Sequence, residues 1–276
     1  MRTGSCVFSN VEVRKALWEV TAHCPLACKH CSMDAGPRFD SYFDVRRLEP
    51  VLDALAARAV SRVILSGGEP FAHPELGRLV AACVGNGIEV SVSTSGYQVG
   101  TDELERSVES GLRKLTVSAD GSAHTHDARR GRGSYESMVT FVRRCTSLGV
   151  GVTLNLVIGR DTSAADLFAV TTLAQDLNVT SVVYCFEIDA GRGRGCSSND
   201  SAEAALRELS GHPSPGPDLT VLSPRCNTTA CPSGKTIYFV DVRGVVHDRC
   251  VYAQRVRSRP VFETLSMRDL SGEKKS

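Results

Sequence analysis

ALWEVT (16–21), SRVILS (61–66), IEVSVST (88–94), LRKLTVSAD (112–120), VGVTLNLVI (150–158) and VTSVVYCFEI (179–188) are six short runs of strand-forming composition. Between them lie stretches with helical spacing: RRLEPVLDALAARA (46–59), ELGRLVAACVGNG (75–87), DELERSVESG (102–111), YESMVTFVRRCTSLG (135–149) and ADLFAVTTLAQDLN (165–178). Six strand–helix alternations with short connections imply parallel strands joined by right-handed crossovers. The expected fold is α/β, a partial (β/α)6 barrel of the TIM type spanning 15–195. The pattern does not distinguish a sheet that closes from one that stays open.

The rhythm breaks after Ile188. GRGRGCSSNDS (191–201) reads as loop, AEAALRELSG (202–211) as a short helix and HPSPGPD (212–218) as a Pro/Gly linker. KTIYFVDVRGVVHDRCVY (235–252) alternates like a hairpin, with Gly244 near its turn. This divides the chain into an N-terminal segment (1–14), a core domain (15–195), a helix and linker (196–222) and a small C-terminal extension (223–276). The extension is too short to fold on apolar burial alone and would gain from a metal staple.

Across the 276 residues, 32 Lys and Arg balance 31 Asp and Glu, a formal net charge of +1. No general field draws the chain to nucleic acid or an anionic membrane. No apolar run approaches the roughly 20 residues of a membrane span, and the first twenty residues lack an export signal. A cytoplasmic protein is expected. The unusual number is eleven cysteines, odd in count and clustered rather than evenly spread. In a reducing compartment such clusters bind metal or do redox chemistry more often than they form disulfides. Cys83 and Cys145, in helical stretches, read as small buried apolar residues.

Cys24-Pro-Leu-Ala-Cys28-Lys-His-Cys31 directly follows the first predicted strand. Three soft thiolates in one loop at the carboxyl end of a barrel strand suit zinc or an iron–sulfur cluster. Zinc would want a fourth ligand, and His23 or His30 could supply it. A four-iron cluster held by three cysteines leaves one iron without a protein ligand, a position where a small molecule can bind.

This C-x3-C-x2-C spacing resembles the signature of the radical S-adenosylmethionine (SAM) superfamily. Ser66-Gly67-Gly68-Glu69-Pro70, after the second strand, looks like that family's GGEP motif, and the backbone groups of Gly67, Gly68, Glu69 and Pro70 are thereby expected to meet the SAM amino group. Val117-Ser118-Ala119-Asp120-Gly121, His126-Asp127-Ala128-Arg129-Arg130-Gly131 and Gly133-Ser134-Tyr135 resemble the run found in the subgroup with C-terminal cluster domains. By that resemblance Ser118 and Arg130 would hold the SAM carboxylate, and Asn155, with Thr94 and Ser95, would touch SAM. His30 stands where many members carry an aromatic residue.

Cys226-Asn-Thr-Thr-Ala-Cys231-Pro-Ser-Gly234, Gly244 and Cys250 look like the start of a SPASM or twitch domain, which folds around an auxiliary [4Fe–4S] cluster. No cysteine follows Cys250, so one auxiliary cluster is the ceiling. Its fourth ligand would be Cys185 or Cys196, or would be substrate. Zinc would suit these thiolates too. Gly191-Arg-Gly-Arg-Gly195 lacks the spacing of a dinucleotide fingerprint and looks more like the Gly-Arg segment after strand six in SPASM relatives.

The resemblance implies reductive cleavage of SAM by a cluster on Cys24, Cys28 and Cys31, followed by hydrogen abstraction from a substrate. Oxidation or crosslinking in natural-product biosynthesis would follow, on a small sugar or aminocyclitol or on a ribosomal peptide. A flavodoxin- or ferredoxin-type reductase and a separate leader-binding protein are the expected partners, with no nucleic acid and no membrane. The competing class is a zinc-binding regulatory or interaction protein built on the same cysteines.

Overall fold

The computed structural model describes residues 13–193, 200–211, 217–224, 235–248 and 262–266. All six expected strands are present: β1 (Lys15–Thr21), β2 (Arg62–Gly67), β3 (Glu89–Thr94), β4 (Lys114–Ser118), β5 (Gly151–Ile158) and β6 (Ser181–Phe186). Each pairs in parallel with the next. The connecting helices are α1 (Leu48–Ala56), α2 (Leu76–Gly85), α3 (Thr101–Glu109), α4 (Ala123–Arg130), α5 (Ser134–Ser147) and α6 (Ala164–Asp176), followed by α7 (Asp200–Gly211).

Strand periodicity sorts the side chains between two faces. Ala16, Trp18, Val63, Leu65, Val92, Val117, Leu154 and Tyr184 are fully buried or nearly so, in one core with Leu55, Leu79, Leu104, Met138 and Leu167 from the helices. Trp18 meets Phe43 edge to face, with ring centroids 4.9 Å apart. Cys83 and Cys145 are wholly buried in this core, and burial pushes both thiols up to about 12, so they act as the small apolar residues expected. The alternate positions, Leu17, Ser66, Ser93, Ser118, Asn155 and Cys185, line a cavity on the opposite, concave face.

Three features depart from expectation. First, the segment after β4, to which the sequence assigned no regular element, is a helix, α4. Ser122 caps it by accepting from Thr125 N, and its two arginines are buried. Secondly, two strands went unread: β7 (Asp218–Pro224), parallel to β6, and β10 (Phe262–Ser266), antiparallel to β7. β7 follows a Pro/Gly linker, and β10 follows the arginine-rich stretch 249–261. Thirdly, the expected hairpin, β8 (Ile237–Val240) with β9 (Val246–His247), is no free-standing unit. β8 runs parallel to β1, and Tyr238 and Val240 join the main core. Gly244 makes its turn at φ 81. The described strands form one sheet in the order β10-β7-β6-β5-β4-β3-β2-β1-β8-β9, which has two ends and so does not close. No described helix is long and apolar enough to cross a membrane.

Candidate functional site

β1 pairs with β2 up to Glu19, shifts register, and resumes with Thr21 opposite Gly67. Beyond it the chain leaves as the cysteine loop. The base of the loop is closed by bridges of Thr21 to Tyr42 and His23 to Gly36. Cys31 N donates to Cys28 O at 3.3 Å and Asp34 N to Cys31 O at 3.2 Å, curling the cysteines into consecutive turns. Cys28 is buried, and Cys24 and Cys31 are half-buried; all three are free thiols.

The Gly67-Gly68 turn packs directly under this loop. Gly68 N donates to Thr21 O (2.6 Å) and Glu69 N to His23 O (2.8 Å). A Cβ on Gly67 would be built into the Thr21 carbonyl, and one on Gly68 into the His23 carbonyl. The glycines are therefore required by the approach of the chain that bears Cys24, not only by a ligand. With both N–H groups engaged, the turn offers a ligand acceptors, which suits an ammonium group. Glu69 and Pro70, expected at the ligand, do not line the cavity. The Glu69 carboxylate is buried and accepts from Thr94 Oγ1 (2.6 Å), Ser95 N (2.9 Å), Ser95 Oγ (2.6 Å) and Phe71 N (3.2 Å). It ties the β2 turn to the end of β3, and burial holds its acid above the usual range. Pro70 opens a buried single turn of 3-10 helix.

Asp120, just past β4, is the hub on the other side. Its Oδ2 accepts from Arg130 Nε (2.6 Å) and lies 3.1 Å from His30 Nε2, and its Oδ1 accepts from Val157 N (3.2 Å). The backbone N–H of Asp120 donates to His126 Nδ1 (3.1 Å). Burial works against the charge, but Arg130 and His30 beside it hold the carboxyl well below the usual range. Burial, followed by the Arg130 charge, depresses His126 to about 4, so this ring is neutral. Asp127 accepts from Gly133 N, Tyr135 N and Ser134 Oγ, folding the α4–α5 turn. The motif run 117–135 is thus wiring around one buried carboxylate, with His30 linking the cysteine loop to it.

The Gly-Arg segment after β6 straps the loop from its remaining side. Arg192 N donates to Cys31 O (2.9 Å), its Nε to Cys28 O (2.8 Å), its Nη1 to Asp34 (2.7 Å) and its Nη2 to Ala35 O (2.7 Å). Gly191, at φ 59, lies too close to the Cys31 and Ser32 carbonyls for any side chain. Asp120 and Arg192 carried no assigned role in the sequence. Their signal was present only as neighbours of assigned residues.

One cavity of about 300 Å³ therefore joins Cys24, Cys28, Cys31, Gly67, Gly68, Ser118, Arg130, Asn155 and Cys185, together with Thr94, Ser95 and Arg192. Ser118 and Asn155 stand side by side in register. Arg130 commits Nε to Asp120 and sets Nη2 3.3 Å from His30 Nε2. Cys185 donates to Asn155 Oδ1 at 3.4 Å, and burial raises its thiol to about 11. Cys196, Cys226, Cys231 and Cys250 lie outside the described residues.

The donor set fits an iron–sulfur cluster better than zinc. Among the described residues, no three His, Cys, Asp or Glu side chains converge where one metal ion would sit. A four-iron cube binds each thiolate at a different iron, so its ligands need not converge. His23 and His30, the imidazoles zinc could use, bond respectively to the Phe39 carbonyl (2.9 Å) and to Asp120. Burial raises the Cys24 thiol to about 12 and also raises Cys28, which the Arg130 charge partly offsets. These thiols ionise when iron replaces the proton.

Among curated proteins, Fe-coproporphyrin III synthase of Methanosarcina barkeri is 26% identical over 195 residues, covering 70% of this chain and 49% of the relative. Mycofactocin maturase MftC of Mycobacterium tuberculosis is 31% identical over 165 residues, covering 59% and 42%. The chain spans about half the length of the curated relatives it matches. The crystal structure of Streptococcus suis SuiB bound to S-adenosylmethionine superposes with a TM-score of 0.72 at 15% identity, covering 91% of this chain and 63% of that one. Coproporphyrinogen III oxidase from Escherichia coli gives a TM-score of 0.52 at 15% identity over 74% of this chain and 53% of that one. These two likenesses concern the fold. Residues 18–173, more than half of the chain, match the model of the radical SAM superfamily, whose members use a [4Fe–4S] cluster and SAM, and the chain belongs to that superfamily.

Proposed function

We propose that this chain is a radical SAM oxidoreductase or maturase that cleaves SAM reductively and takes a hydrogen atom from a substrate in natural-product biosynthesis. The observation that carries the reading is the single cavity in which the three-thiol loop, the Gly67-Gly68 turn, Ser118, Arg130 and Asn155 face one another. When bound, the cluster supplies the electron that splits SAM into methionine and the 5′-deoxyadenosyl radical that abstracts hydrogen. Cys24, Cys28 and Cys31 would hold the cluster, and Arg192, His30 and the His23 carbonyl would fix their loop. The Gly67-Gly68 turn would accept from the methionine ammonium. Ser118 and Arg130 would donate to its carboxylate, and Asn155 would bond to SAM on the β5 side.

Relatives bearing the names maturase and synthase support a peptide or a small molecule as substrate, and in our reading the outcome is its oxidation or crosslinking. In our reading Cys226, Cys231 and Cys250 hold an auxiliary [4Fe–4S] cluster, with Cys185, Cys196 or substrate as fourth ligand. A flavodoxin- or ferredoxin-type reductase supplies electrons, and a leader-binding protein is a partner if the substrate is a ribosomal peptide. Anaerobic reconstitution of the wild type and of Cys24→Ala/Cys28→Ala/Cys31→Ala, with iron, sulfide and 5′-deoxyadenosine measured, tests the proposal. The triple variant should form no 5′-deoxyadenosine. Cleavage surviving in the variant under dithionite, or a colourless wild type with stoichiometric zinc, would overturn it.

A further inference from the structure

Next to the cysteine loop lies a second cavity, of about 190 Å³, whose wall is made wholly of ionisable side chains. Lys29 and His30 reach it from the loop, Arg129 from the end of α4, and Arg160 and Asp161 from the turn after β5. Glu187 and Arg192 close it from the segment after β6. His30 and Arg192 line the cofactor cavity as well, so the two cavities share a wall. With His30 left uncounted, four cations against two carboxylates leave this small space an excess of two positive charges.

The buried end of this cavity is Arg129, a residue 4% exposed. Its Nη1 donates to Val157 O (2.7 Å) and Thr162 Oγ1 (3.3 Å), but its Nη2 has no hydrogen-bond partner among the described residues. The nearest carboxylates, Asp120 and Asp161, stay 4.0 Å from its Nη1 and Nε. Nη2 lies where the wall residues gather: the point that a Cβ on Gly159 would occupy is 3.1 Å from it, 3.0 Å from Asp161 Oδ1 and 2.6 Å from Glu187 Oε2. His30 Nδ1, in a residue 8% exposed, is a second buried polar atom of this wall without a partner among the described residues. Buried polar groups left unpaired are costly and rare in folded chains. At the mouth, Lys29 and Arg160 are exposed, and their side chains pair with no carboxylate among the described residues. Glu187 has a partner of its own, and the Asp161 side chain is 67% exposed.

We infer that this cavity is a binding site for a small oxyanion, a phosphate or carboxylate group, held by Arg129 Nη2 at its buried end and by Lys29 and Arg160 at its mouth. Guanidinium N–H groups are the donors that oxyanions accept from most strongly, and cationic side chains from three separate segments converge here. A cation would meet Arg129 at the buried end, with the excess positive charge of the wall around it. At about 30 Å³ per water the space holds about six waters, which is room for an oxyanion of a few heavy atoms. Bound there, the anion would join the cysteine loop at Lys29 to the end of α4 and to the turn after β5. The site is separate from the proposed SAM site and would exist without it.

The test uses the full chain, reconstituted anaerobically, in about 0.15 M sodium chloride so that unspecific surface attraction is screened. Orthophosphate and acetate are titrated by calorimetry, with putrescine and magnesium ion as cationic controls, in the presence and absence of SAM. At least one oxyanion should bind saturably, and SAM should not displace it. Tighter binding of phosphate than of acetate identifies a phosphate ligand and the reverse a carboxylate ligand; either sustains the site. Lys29→Ala/Arg160→Ala, which alters exposed side chains only, should weaken binding about three-fold or more with an unchanged melting temperature. Arg129→Met should weaken it about ten-fold or more, the worth of one hydrogen bond to a charged group. Because Arg129 also ties down Val157 and Thr162, the exposed double variant decides the matter where Arg129→Met does not fold. No saturable oxyanion binding, displacement by SAM, equal binding by the double variant, or tighter binding of either cation would overturn the inference.

Discussion

Replacing Asp120 by Asn probes the hub that joins the cysteine loop to the barrel. Asn offers one acceptor where the carboxylate offers two, and its amide would face either Arg130 Nε or Val157 N, both donors. The larger effect is electrostatic. Arg130 would keep its charge in a site where its side chain is 8% exposed, with its carboxylate partner gone. Breaking one partner out of a buried ion pair costs about 3–5 kcal/mol. For a chain of this size that corresponds to a fall in Tm of roughly 10 °C. Thermal unfolding of the cluster-free chain, followed by circular dichroism, reads it. The pH dependence has a defined sign. The folded carboxyl sits well below its ordinary value, so its stabilisation is complete above that value and is lost as pH falls through the folded one. The gap between wild type and Asp120→Asn should thus be widest near neutrality and shrink on acidification below about pH 4. Adding Arg130→Met should recover part of the loss, because the uncompensated charge is removed. A deficit under about 1 kcal/mol, a gap that does not change with pH, or a double variant less stable than the single one would refute this account of the hub.

Gly68→Val should lower iron loading as well as SAM affinity, because its side chain would collide with the His23 carbonyl next to Cys24. Iron assay and calorimetry on one preparation decide it, and a selective loss of SAM affinity with full iron would return the glycine to a purely ligand-facing role. Arg192→Met removes three side-chain bonds to the cysteine loop, two of them to carbonyls. Cluster retention should fall while the barrel melts within a few degrees of wild type, and unchanged loss of iron on chelator challenge would count against the strap. Cys226→Ala/Cys231→Ala/Cys250→Ala should reduce iron from about eight to about four per chain if each cluster is a four-iron cube. Unchanged iron would remove the auxiliary cluster, and stoichiometric zinc lost in the same variant would make the site structural.

The strand and helix pattern between residues 15 and 188 was readable because alternation at periods 2.0 and 3.6 reports directly which face is buried. The Cys24–Cys28–Cys31 spacing was readable for a similar reason: ligands in one short loop are constrained locally. The Asn155 and Ser118 assignments came from resemblance, and the cavity brings both beside the cysteine loop. What failed had weak local signals. α4 is polar and arginine-rich, and its burial is decided by Asp120, to which Arg130 bonds across a turn and His30 across the barrel. β7 lies beside a Pro/Gly linker, and β8 gains its partner from β1, more than two hundred residues earlier. Edge pairing of this kind is a property of the finished sheet and leaves little trace in either segment alone.

By itself, the sequence determined the parallel α/β core, the three-thiol loop at the carboxyl end of its first strand and the glycine turn after its second. These depend on periodicity, residue chemistry and near-neighbour spacing. Only the tertiary structure decided that the Glu69 carboxylate braces the end of β3, that Arg192 straps a loop 164 residues away at Cys28, and that Asp120 gathers Arg130 and His30. Those outcomes follow from strand register and from how a buried charge finds partners. Both are settled when distant segments pack, because a polar group left unpaired in the interior is too costly to persist.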